Sequence, residues 1–114
     1  MNGIKYKRLV ERLQKHTKDV TLGDRTALAR LDSMMVNHSF ELNIIREMLV
    51  TLCTASEIIV FELCVLMDKI AQHQKLDRDF MYEYREYLSW EIVCHYQDVP
   101  DDLLVELKLK GEIE

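Results

Sequence analysis

The chain has 114 residues, one domain's worth, and its 48% hydrophobic and 31% charged content is enough to bury a core and excludes the composition of a disordered segment. Three glycines and one proline leave too few tight turns for an all-β fold, and no glycine cluster is present to cradle a phosphate, which excludes Walker-type and dinucleotide-binding loops. The net charge of -5 is split: residues 1–20 carry +4 and residues 77–114 carry -7, a polarity that favours head-to-tail attraction within or between chains and disfavours broad nucleic-acid contact by the acidic part.

The first segment, residues 4–18, places Tyr6, Leu9, Val10 and Leu13 at helical spacing with bases around the other face, and is predicted to be a basic amphipathic helix. Lys5, Arg8, Arg12 and Lys15 form a ridge at i, i+3, i+7 and i+10 that suits phosphates, so these four residues are the candidate nucleic-acid contacts. The apolar face of this helix has no tryptophan or phenylalanine, which makes it a weak membrane binder. The polar, basic start lacks the apolar core of a signal peptide, so the chain is read as intracellular and cytoplasmic with reduced thiols. Thr21-Leu22-Gly23-Asp24 resembles a capping box and is expected to start the second helix.

Residues 24–75 are predicted to be a long helical region. From Leu28 onward, apolar residues fall on a 3-4 alternation through Leu31, Met35, Leu42, Ile45, Leu49, Leu52, Ile59, Leu63, Leu66 and Ile70, interrupted at His38 and Ser56 and ending at His73. Met34, Met48, Cys53, Val60 and Met67 flank this stripe and widen it beyond a two-stranded seam, which points to a bundle. One helix from Leu28 to His73 would be about 69 Å long, so either it bends back, with Val36-Asn37-His38-Ser39 and Thr54-Ala55-Ser56-Glu57 as the best capping sites, or it packs against other copies. Leu28, Leu31, Met35, Leu42, Ile45, Leu49 and Leu52 are the expected oligomer seam. The most apolar run, Ile58 to Met67, is ten residues interrupted by Glu62, well short of the roughly 20 needed to cross a bilayer.

Asp77 looks like an N-cap for a helix over 78–96, with Phe80, Met81, Tyr84, Leu88 and Ile92 as its stripe. Six aromatic residues lie between Phe80 and Tyr96, and Tyr82, Tyr87 and Trp90 spread around the helix as candidate anchors for a protein partner. Pro100, Asp101 and Asp102, with Lys108 and Lys110 late and Gly111 beyond, predict a short helix over 100–110. The alternation of Val105, Leu107 and Leu109 with charged residues reads alternatively as a strand.

Catalytic and metal chemistry find little support. None of the three cysteines has a cysteine a few residues away, and the glutamate-plus-histidine motif of di-iron bundles is absent. His38 with Glu41 and Glu91 with His95 share helix faces, but each is read as a half-buried histidine hydrogen-bonded to a neighbour and a surface carboxylate; no metal and no cofactor is expected. Cys94 and His95 are adjacent and point about 100° apart on a helix, so they cannot pair, and Cys53, Cys64 and Cys94 are read as small core residues. Glu83 and Glu86 are read as a solvated face. The expectation is an all-α bundle of four to five helices, with one or two long central helices, forming a single domain that self-associates as a dimer or higher oligomer. Its expected role is a small non-catalytic protein-binding regulator, adaptor or inhibitor; the alternative is a nucleic-acid-binding regulator led by the basic helix.

Overall fold

A computed structural model of the chain describes residues 2–55 and 60–111. Among these residues the protein is all-helical, with α1 Asn2–Thr21, α2 Arg25–Asn37, α3 Leu42–Thr54, α4 Val60–His73, α5 Arg78–Glu83, α6 Trp90–Tyr96 and α7 Asp101–Leu109. Seven helices replace the four to five expected, because the two longest predicted segments are broken. The packing order is α3 against α1, α1 against α2, α2 against α4 and α4 against α6. The result is a slab of 41 × 36 × 18 Å, roughly two helix diameters thick.

The first helix runs three residues past its predicted end, and the second starts at Asp24 rather than Thr21. Thr21 still belongs to α1, where its hydroxyl donates to Lys18 O at 2.6 Å. The chain then leaves α1 through a Schellman turn: Gly23 N–H donates to Val20 O, Asp24 N–H donates to Asp19 O, and Gly23 sits at φ +96°, a conformation that costs a side-chain-bearing residue. Asp24 caps α2 by accepting from Thr26 N at 3.0 Å. Thr17, buried in the middle of α1, satisfies its hydroxyl on Leu13 O.

The long region 24–75 is three helices. Its first break falls at the predicted Val36–Ser39 site: Asn37 turns its amide back onto Ser33 O, and His38 leaves the helix in extended conformation. The second break follows Ala55; Ser56, Glu57 and Ile59 of the predicted capping site and stripe lie outside the described residues, as does most of the start of the apolar run from Ile58. Bending lets the stripe fold on itself. Leu31, Met35, Ile45, Leu49 and Leu52 are fully buried, Leu28 is nearly so, and Leu42 is half-buried, all within one chain. The residues assigned to an oligomer seam are therefore the protein's own core, since α1 and α4 fill the space reserved for a second copy.

Two glutamines fasten the turns. Gln74, buried after α4, donates from Nε2 to Met35 O at 2.7 Å and to His38 O at 2.6 Å, and accepts from Phe40 N at 2.9 Å on Oε1. Gln97, just after α6, donates to Ala71 O at 2.7 Å and Gln74 O at 2.6 Å and accepts from Leu76 N at 3.1 Å. Each side chain closes carbonyls that a helix end leaves open. Tyr6 adds a third tie: its hydroxyl accepts from Glu41 N at 3.0 Å.

The predicted helix over 78–96 is two helices. Asp77 does cap α5, accepting from Phe80 N at 2.8 Å. The chain then turns at Tyr84 and restarts at Ser89. Continuing the Phe80, Tyr84, Leu88 spacing would put Ile92 in the core, whereas the structure buries Val93 fully and Ile92 only partly, so the break rotates α6 by one position. The last segment is helical rather than strand, with Leu103 and Leu107 buried; it is tied to α5 by Arg78, which pairs with Asp102 at 2.8 Å and Glu106 at 3.5 Å. No described helix is long and apolar enough to cross a membrane.

Candidate functional site

The basic ridge of α1 is exposed as its spacing predicts: the apolar face, with Leu13, Thr17 and Val20 buried, turns inward, and Lys5, Arg8, Arg12 and Lys15 turn outward. Among the described residues no ion pair reaches α1. The acidic residues of the C-terminal third that are paired find their partners nearer home: Asp77 and Glu83 on Arg46 at 3.4 and 3.6 Å, Asp102 and Glu106 on Arg78, and Glu106 also on Lys110 at 3.5 Å. Glu62 of α4 takes Arg25 of α2 at 3.2 Å. Among the described residues the two ends of the charge distribution do not cancel through direct contact, and the positive face of α1 has no ion-pair partner there.

That face continues into a groove between α1 and α2 of about 330 Å³, lined by Arg12 and His16 from one wall and Arg30, Ser33, Asn37 and His38 from the other, with Met34 as its apolar element. His16 is held below the ordinary histidine pKa of 6.5, first by burial and then by Arg30, Lys15 and Arg12, against the opposing pull of Asp19. Its Nδ1 is shut off from solvent without a hydrogen-bond partner. Asn37 donates to Ser33 Oγ at 3.1 Å as well as to Ser33 O, which leaves the serine proton free to be donated outward. Sequence reasoning saw the α1 ridge but not the α2 wall. A signal was present: Arg30, Ser33 and Asn37 recur at i, i+3 and i+7, opposite the Leu28, Leu31, Met35 stripe.

The aromatic candidates serve the fold as well as facing outward. Tyr82, Tyr87 and Trp90 are half-buried against the core. Trp90 donates from Nε1 to Arg85 O at 3.1 Å, which closes the turn between α5 and α6. Tyr82 holds the Arg85 guanidinium 4.3 Å over its ring and accepts a hydrogen bond from Lys110 Nζ at 2.9 Å. These rings are occupied within the chain to a degree the sequence did not show.

None of the three cysteines is a core residue: Cys53 and Cys94 are exposed and Cys64 is half-buried, since all three lie off the inward faces of their helices. The surroundings of the Cys53 sulfur push its pKa up, which disfavours the thiolate a nucleophile requires. Cys94 shares no hydrogen bond with His95, whose ring instead meets Tyr96 edge-on at 4.7 Å. Among the described residues no three histidine, cysteine or carboxylate side chains come together as a metal site, and His38 and Glu41 lie in the extended linker rather than on one helix face.

Compared with protein-family models, curated proteins and solved structures, the chain has no match.

Proposed function

We propose that the protein is a small non-catalytic regulator that docks on an acidic surface of another protein through the exposed face of α1. The observation that carries this reading is the ion-pair map: Lys5, Arg8, Arg12 and Lys15 face solvent without carboxylate partners among the described residues, while Arg46 and Arg78 take up acidic side chains of the C-terminal third. Charge left unpaired on one face steers a complementary partner and sets its orientation. The polar side chains with the most internal partners, Gln74, Gln97, Arg46 and Arg78, brace helices against one another, which supports a binding scaffold over a reaction centre.

A second reading, nucleic-acid binding, is favoured by the same four cations, because their span of about 15 Å along α1 matches several successive phosphates. The net charge of -5 weighs against it, since the rest of the molecule repels a polyanion. Capture from native cell extract by the wild-type protein and by the R8E/R12E variant separates the two. Docking on protein is supported when a partner is held by the wild type, released by the double reversal, and unaffected by nuclease. Loss of capture on nuclease treatment replaces this reading with the second.

A further inference from the structure

The groove between α1 and α2 has a chemistry more specific than a positive face. It brings one guanidinium from each wall, Arg12 and Arg30, together with Ser33 and His38, and no carboxylate lines it. Two guanidinium groups present about ten N–H donors, more than the roughly four lone-pair sites of a carboxylate can accept, and match a phosphoryl group with three oxygens and about twice the charge. Four carbonyls around the end of α2 already accept hydrogen bonds: Ser33 O from Asn37, Met34 O from the His38 N–H, and Met35 O and His38 O from Gln74. Asp32, next to Ser33 in sequence, is influenced by Lys69 of α4. Nor does any phenylalanine, tyrosine or tryptophan line the groove to stack a nucleobase.

We propose that this groove binds a phosphomonoester dianion, either on a phosphorylated side chain or as free phosphate, with Arg12 and Arg30 as the clamps and Ser33 and His38 as further donors. The site shares only Arg12 with the docking ridge and stands whether or not the ridge engages a protein. His16, whose pKa is lowered first by burial and then by Arg30, Lys15 and Arg12 against the pull of Asp19, lies among the same positive groups.

Titration of the full isotope-labelled chain with inorganic phosphate at constant ionic strength, followed by heteronuclear NMR, tests the proposal. Saturable shifts centred on Arg12, His16, Arg30, Ser33 and His38 are expected, and R12Q and R30Q should each weaken binding by about tenfold or more. Both arginines are exposed, so the rest of each variant's spectrum should stay unchanged and report an intact fold. A phosphoserine peptide that binds more tightly than phosphate identifies a phosphorylated side chain as the source; equal binding identifies the free anion. The proposal is overturned if the shifts are linear and reproduced by chloride, if R12Q and R30Q leave them unchanged, or if an oligonucleotide binds where phosphate and the phosphopeptide do not.

Discussion

The side-chain amide of Gln97 donates to the main-chain carbonyl of Gln74 at 2.6 Å, while the side-chain amide of Gln74 reaches on to the end of α2. Two amides thus link the ends of α2, α4 and α6 in series, and each uses both its donor and its acceptor. A glutamate at position 74 keeps the shape but cannot donate to Met35 O and His38 O when ionised. Gln74→Ala should cost about 2–4 kcal/mol in urea unfolding, from lost hydrogen bonds and carbonyls left unpaired in a dry site. Gln74→Glu at neutral pH should cost at least as much, because a buried charge then faces those carbonyls. A change below 1 kcal/mol for both would show that water replaces the amide without loss.

Leu49 and Leu31 lie in the centre of a core made by one chain. Leu49→Ala should lower stability by about 2–5 kcal/mol, the usual range for a large-to-small core change. Its melting temperature should not vary with protein concentration, as a seam between copies would require.

The helical class, the inward stripe, the Asp77 cap and the outward ridge of α1 were legible because each rests on residues within about two turns of one another. The breaks were harder. Nothing local marks Tyr84 to Leu88 as a turn; the chain breaks there to bring Val93 rather than Ile92 into a core supplied by other helices. The Gln74 and Gln97 contacts span more than 20 positions and join side chains to carbonyls, for which a sequence has no signature. The groove was half legible for the same reason: one wall lies on α1, and the other becomes adjacent only after the Gly23 turn folds α2 back.

Tyr84 is buried, and burial, with Glu83 beside it, pushes its hydroxyl up to about 12 from an ordinary 10.0. The fold therefore favours its neutral form. The contribution is complete below pH 10 and is lost as pH rises through 10 toward 12. An ultraviolet titration should show one of the five tyrosines ionising late, together with unfolding, and Tyr84→Phe should remove that late step.

Asp32 carries a buried Oδ1 with no hydrogen-bond partner, and burial raises its pKa despite the attraction of Lys69. Because the folded state binds this proton more tightly than the unfolded chain does, its effect on stability worsens as pH rises above 3.8 and is absent well below it. Asp32→Asn should raise stability at neutral pH by about 1 kcal/mol and remove the loss of stability that Asp32 contributes as pH rises above 3.8. Equal melting temperatures for the two proteins at neutral pH would contradict this.

Hydrogen exchange of the protein bound to its captured partner compares the two candidate faces in one measurement. Contact through α1 should slow exchange in peptides covering residues 5–15 and leave those covering 82–96 at their free rates. Protection confined to 82–96, with α1 unchanged, would assign the contact to Tyr82, Tyr87 and Trp90 and overturn the role given to the basic helix.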